Sequence, residues 1–197
     1  MRQALLVAMM LLLASYCSAQ DQESRNDETE MSYFGAPVVK WTVIRDQSAV
    51  MIGGRGGWNI TSSILVGGGL YGTIKNVDAP EGAVPDAPGR LDIKLETFGF
   101  DVEYAVRPTA PTHMTLGMFL GGGADHYVQH DTGQQFGETD FILFVEPGIG
   151  VDHRLTDGVH LNLAVSYRMV SGVDQPGLEN SDFNGMAVAL AVKLGRF

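Results

Sequence analysis

Nine ionisable residues recur at alternate positions among glycines, alanines and small polar residues: Arg55, Lys75, Asp101, Glu103, Asp125, Glu146, Asp152, Arg168 and Lys193. Charges of both signs on one small-residue face can pair across a narrow polar interior. Unpaired charges there would be costly, so the signs must neutralise locally. Arg55, Arg168 and Lys193 are the expected cations and Asp101, Glu103 and Glu146 the expected carboxylates of a salt-bridged plug. The alternative chemistry for the same set is a gated proton or ion path.

The five histidines are His113, His126, His130, His153 and His160. His126, His130 and Asp131 fall close enough together to bind a metal weakly or to supply a base. No serine sits beside them in a nucleophile motif, and no ligand spacing is convincing. They read as surface-loop residues, so no catalytic, metal-binding or cofactor-binding residue is assigned and no cofactor is expected. The clusters Gly53-Gly54-Arg55-Gly56-Gly57, Gly67-Gly68-Gly69 and Gly121-Gly122-Gly123 lack the helix junction that a phosphate-cradling loop requires. Glycine there permits tight curvature and lets neighbouring rings lie over bare backbone. Asn59-Ile60-Thr61 matches a glycosylation sequon, which its place in a short turn makes a chance match.

The elements that hold this face are strands. In the last stretch, Gly185–Phe197, the residues Met186, Val188, Leu190, Val192 and Leu194 form one apolar row, while Ala187, Ala189, Ala191 and Lys193 form the opposite one. Stretches 63–77, 113–128, 139–154 and 159–170 keep the same period of two. Further strands are expected at 38–45, 48–58 and 91–106, which makes eight. The break between the first two is placed at Asp46-Gln47. In the fourth strand Leu91, Ile93 and Leu95 share one parity and Phe98, Phe100, Val102 and Tyr104 the other. A bulge near Glu96, or the start of an extramembrane segment, would explain the change.

Connections after the first hairpin alternate short and long, as in transmembrane barrels with short periplasmic turns and longer outer loops. The break over residues 78–90 holds Pro80, Gly82, Pro85, Pro88 and Gly89 and cannot continue a ladder. Aromatic girdles are expected at both borders. Trp58 and Tyr104, with Trp41, would mark the inner border, and Tyr167 with Tyr127 the outer one.

The N-terminus bounds the compartment. Arg2, an apolar run from Ala4 to Ala14 and the small-residue site ending at Ala19 read as a signal peptide over residues 1–19. Cleavage would remove Cys17, the sole cysteine, and leave an exported chain without disulfides. Residues 20–36 read as an acidic, disordered lead-in and 37–197 as the barrel. The net charge of −10 argues against nucleic acid as a partner. A soluble lipocalin-like carrier would alternate too, but with the greasy face inward. Here the charges lie on the glycine-rich face, which suits a filled lumen clothed by an apolar exterior.

The alternating strands and the terminal GMAVALAVKLGRF resemble the small outer-membrane β-barrel family that includes the transmembrane domain of outer membrane protein A and the OmpX-like proteins. GGRGGWNITSSILVGGGLYG also looks like segments of outer-membrane proteins of diverged bacteria. The resemblance implies an all-β, eight-stranded, antiparallel up-and-down transmembrane barrel, monomeric, contacting outer-membrane lipid. It further implies that Phe197 is the signal read by the barrel-assembly machinery. Family members include anchors, adhesins and a few lipid-modifying enzymes, so the fold does not by itself name a function. A structural or surface-interaction role through the outer loops, toward an extracellular ligand, is expected, with a lipid hydrolase or acyltransferase as the alternative.

Overall fold

The computed structural model describes residues 32–74, 77–84, 87 and 89–197. The signal peptide, Lys75 and residues 20–31 of the lead-in lie outside them. The strands are β1 (Ser32–Ile44), β2 (Gln47–Asn59), β3 (Ile64–Thr73), β4 (Val77–Asp78), β5 (Leu91–Val106), β6 (Thr112–Gln129), β7 (Gln135–Thr156), β8 (Val159–Ser171) and β9 (Gly185–Gly195), with one short helix, α1 (Asn180–Phe183), before the last strand. Eight of them pair antiparallel with their neighbours, and β1 closes on β9 with Phe34 opposite Gly195 and Thr42 opposite Ala187. β4 adds two residues to the outer part of β5.

Closure leaves no sheet edge in lipid, the condition for strands to span a bilayer. Phe98, Phe100, Leu116, Phe141, Leu143 and Ile149 all point outward and are exposed, while Asp101, Glu103, Glu146 and Lys193 point inward and are buried. That sidedness is the reverse of a lipocalin's and matches the expected one.

Three expectations need correction, and of the two alternatives posed at Glu96 the extramembrane one holds. β1 begins at Ser32, so residues 32–36 belong to the barrel and not to the lead-in. The first hairpin turns at Arg45-Asp46, one residue earlier than expected, with φ of 52° and 58°. Two successive left-handed residues make the type I′ turn that matches strand twist. The third strand ends at Thr73 instead of running to Val77. β5 has no bulge, because its register with β6 runs unbroken from Leu91 opposite Gln129 to Val106 opposite Met114.

The parity change in β5 comes from the surroundings and not from the chain. A tilted strand needs about 9–11 residues to cross the bilayer, and β6 and β7 have 18 and 22. The excess stands outside the membrane, where water reaches the outer wall. There Lys94 and Glu96 face out, and Leu91, Ile93 and Leu95 face in. Ile44, Met51, Val77, Ile93, Leu95, Ile142, Leu178 and Phe183 fill this upper storey as an apolar core. Above the lipid the barrel is an ordinary globular fold; within the lipid it is inside out.

Candidate functional site: the filled lumen and the extracellular cap

Inward parity on five strands brings four of the six expected charges into one chain. Arg55 on β2 donates to Asp101 at 2.7 Å and to Glu103 at 2.9 Å, both on β5. Lys193 on β9 reaches Glu103 and Asp152, each at 2.5 Å. His160 on β8 extends the chain through its Nδ1, 3.0 Å from Asp152. The lysine and arginine are each shared by two carboxylates, which fixes their heads without a mobile partner.

Glu146 and Arg168 are inward as expected but do not meet. Glu146 accepts from Lys40 Nζ at 2.8 Å and from the Ser166 hydroxyl at 2.6 Å. Lys40 also stands 4.3 Å over the Tyr71 ring. Arg168 lies nearer the outer mouth, opposite Gly185. It donates to the carbonyl oxygens of Phe183 at 2.8 Å and Val43 at 3.2 Å. Helix ends leave their last carbonyls without intrahelical partners, and Arg168 supplies one at the end of α1. It is therefore a tether for the last loop, not a member of the ion-pair chain.

Lys40 was readable and was missed. Its parity with Val38 and Thr42, both inward, puts it in the lumen. Among the described residues the spanning lumen thus holds Lys40, Arg55, Arg168 and Lys193 against Asp101, Glu103, Glu146 and Asp152, all buried except Arg55, which is nearly so. The signs balance. A cavity of about 70 Å³ remains between Lys40, Arg55, Asn162 and Ser166, room for about two waters. The side amide nitrogen of Asn162, buried there, has no protein partner.

The aromatic expectations divide. Trp58 and Tyr104 face lipid at the periplasmic ends of β2 and β5, and Tyr167 faces lipid toward the outer end of β8. Trp41 is exposed near the outer border, opposite Val50 and Val188, and not the inner one. Tyr127 is not a girdle residue: it is buried in the upper core, and its hydroxyl donates to Pro176 O at 2.7 Å. β9 ends at Gly195, and Phe197 turns to the periplasmic mouth, where its ring stacks on His160 at 4.0 Å. Asn59 of the chance sequon clips the ends together, donating to Ser32 Oγ at 2.7 Å and Arg196 O at 3.0 Å.

The histidine cluster does not assemble. His130 pairs with Asp92 at 2.9 Å, while His126 lies opposite Lys94 on the outer wall. Among the described residues no three histidine, cysteine or acidic side chains are placed to hold a metal ion.

The described residues of the outer loops form a hydrogen-bonded cap. The guanidinium of Arg45 donates to Asp78 O at 3.1 Å, and Arg90 pairs with Asp78. Gln175 donates to Glu138 O at 3.0 Å, and Asp174 N–H donates to the Asp140 carboxylate at 2.6 Å. Beneath this loop Asp125 is fully buried, with neither carboxylate oxygen bonded to another residue. It sits level with Leu95, above the lipid belt, and directly opposite Asp140.

Burial, reinforced by the Asp140 charge, pushes the Asp125 carboxyl up to about 7. A raised folded value makes the fold hold a proton that the unfolded chain has released. This contribution is complete below the ordinary carboxylate range and is lost as pH rises to about 7. Asp125→Asn should therefore flatten the fall in stability between pH 5 and 8. At pH 8 it should gain about 1–2 kcal/mol, discounted for water at the cap. Urea midpoints of the refolded barrel at the two pH values measure this, and an unchanged slope would contradict it.

Solved structures share this architecture. Neisserial surface protein A superposes with a TM-score of 0.56 at 16% identity, covering 84% of this chain and 96% of that one. The N-terminal β-barrel domain of Pseudomonas aeruginosa OprF gives 0.54 at 12%, covering 83% and 96%. Ail, the attachment invasion locus protein of Yersinia pestis, in complex with the heparin analogue sucrose octasulfate, gives 0.50 at 10%, covering 85% and 98%. No curated protein matches in sequence. The outer membrane protein beta-barrel domain family matches residues 5–194. With its closed eight-stranded sheet, lipid-facing apolar belt and ion-paired lumen, the chain belongs to that family and is a β-barrel of the bacterial outer membrane.

Proposed function

We propose that this protein is a monomeric surface-interaction barrel whose working part is the extracellular cap and whose lumen is a structural plug. The observation that carries the reading is the contrast between the two storeys. The lumen is filled and charge-balanced. The outer loops, which a mere anchor would not need, are folded over an apolar core and pinned by Arg45, Arg168, Gln175 and Tyr127. Ordered loops on a rigid barrel are where binding residues are usually carried. The barrel-assembly machinery is the proposed reader of the terminal strand and Phe197. Ail, solved in complex with the heparin analogue sucrose octasulfate, is a barrel of this fold that holds a ligand.

Vesicles carrying the barrel, incubated on an array of immobilised random peptides, test the role. Retention above protein-free vesicles is expected. It should vanish when residues 172–179 are replaced by a glycine-serine linker that leaves the heat-dependent gel shift intact. Equal retention with and without the cap loop would sink the proposal. So would discrete channel openings in a planar bilayer, which would make the lumen the working part.

A further inference from the structure

The acidity of this chain is unevenly placed. Among the described residues beyond the outer edge of the belt (45–46, 77–96, 125–140 and 172–184), twelve carboxylates face three lysines and arginines. At the periplasmic end, Arg107, Arg154 and Arg196 stand with Asp157. The described charges of the spanning lumen sum to zero. Nearly all of the barrel's negative charge is thus presented to the outside.

That charge borders a shaped feature. A cleft of about 400 Å³ opens between the outer end of β7 and the loop residues Ala83, Val84 and 174–176. One wall is apolar, made by Ala83, Val84 and Pro176; the other carries Glu138, Asp140 and Asp174. None of these three carboxylates is ion-paired with a described residue. Asp140 takes only backbone N–H groups, those of Phe141 and Asp174. A second observation is independent of that wall. Directly opposed residues of an antiparallel pair project to the same face, so Asp125 points to the side on which Asp140 lines the cleft. Gln175, which also lines the cleft, donates to the Asp125 carbonyl. Asp125 is fully buried behind Asp140, without itself lining the cleft, and its two carboxylate oxygens lack any partner from another residue. A buried polar group left without a partner is destabilising unless something supplies one.

We propose that the cleft seats a lysine or arginine side chain of a basic, extended polypeptide arriving from outside the cell. The inference rests on the surface-interaction reading and names the chemistry of the partner. A basic side chain is amphipathic in the same sense as the cleft. Its methylene stem covers apolar surface while its head seeks carboxylates. The stem lies along Ala83, Val84 and Pro176, and the head meets Glu138 and Asp174 with the Asp125–Asp140 pair behind. The volume is at the lower end of ligand-sized clefts, roughly 300–1,000 Å³. It accommodates a side chain with its flanking backbone and excludes a folded domain. The surrounding acidic face favours a chain with several positive charges over a single amino acid, because its field steers and retains a polycation.

The test uses the full barrel in detergent micelles and a fluorescein-labelled octalysine peptide, read by anisotropy. Binding is expected at 50 mM NaCl and should weaken at least tenfold at 300 mM. Glu138→Gln with Asp174→Asn should weaken it tenfold or more at 50 mM. Glu96→Gln with Asp131→Asn removes the same charge elsewhere on the outer face and should change it less than twofold. A fully acetylated peptide should not bind. Equal loss in both double variants would show diffuse attraction and overturn the cleft assignment, as would absence of binding to the wild-type barrel. Spermine competing at the same charge concentration as octalysine would overturn the polypeptide assignment. If the loop-replaced barrel loses its retention on peptides while the Glu138/Asp174 variant still binds octalysine, the cleft assignment fails and the surface role stands. If neither changes, both fail.

Discussion

Lys193→Met should cost the barrel about 3–5 kcal/mol, because removing one partner of a buried ion pair leaves an uncompensated charge. Lys193 has a side chain only 2% exposed and holds Glu103 and Asp152 at once. The two carboxylates are not equally dependent on it. Glu103 keeps Arg55 at 2.9 Å, whereas Asp152 keeps only His160 Nδ1 at 3.0 Å. Asp152 therefore becomes the stranded charge. Neutralising it should rescue: Lys193→Met with Asp152→Asn is expected to recover more than half of the loss. Lys193→Met with Glu103→Gln should recover less, since that change also takes a partner from Arg55. Urea unfolding of vesicle-inserted barrel, followed through Trp41 and Trp58, gives the comparison. A single variant within about 1 kcal/mol of wild type would mean that water screens the lumen and that the ion-pair chain is not what holds it.

What could be read from the chain was whatever depends on parity alone. β-strands alternate sides wherever the ladder is regular, as it is through the lipid belt, so Arg55, Asp101, Glu103, Glu146, Arg168 and Lys193 were placed inside by counting. Partnership could not be counted. It depends on how far each strand is staggered around the cylinder, and the stagger sets Arg168 beside Phe183 and Val43 instead of Glu146. Lys40 escaped because its inward row, Val38, Lys40, Thr42 and Ile44, is itself half apolar and did not stand out as a polar face against Val39, Trp41 and Val43. The change of parity at Glu96 was visible, but a fault in the ladder and a change of solvent leave the same mark on a sequence. Only the register with β6 separates them. Asp125 looked like one more lumen charge. Its isolation follows from the loop that covers it, and loop conformation carries no periodicity to read.

Gly121→Val should abolish the folded barrel, and here the reason is steric instead of electrostatic. Gly69, Gly99 and Gly121 stand side by side on β3, β5 and β6 and face the lumen. A β-carbon on Gly121 would lie 2.1 Å from Phe98 O, and one on Gly99 would lie 2.4 Å from Leu120 O. Both obstacles are backbone, so no rotamer change relieves them. The strands can approach this closely only because neither carries a side chain, which suits the curvature that a sheet of eight strands needs to close on itself. Inside this row the rings of Tyr71, Phe119 and Phe144 occupy the space, with centroids 5.4 and 5.0 Å apart in sequence. Overpacking a core typically costs about 1–3 kcal/mol where side chains can yield. Here Gly121→Ala is expected at the upper end of that range, and the valine variant beyond it. Gly117→Ala is the matched control on the same face of the same strand, because its β-carbon would come no nearer than 3.9 Å, to Val102 O. The heat-dependent gel shift after refolding reads the result. Gly117→Ala should keep the compact band, Gly121→Ala should weaken it and Gly121→Val should lose it. A compact band for the valine variant would mean that β5 and β6 can separate at this row, and the closeness of the strands would then be incidental to closure.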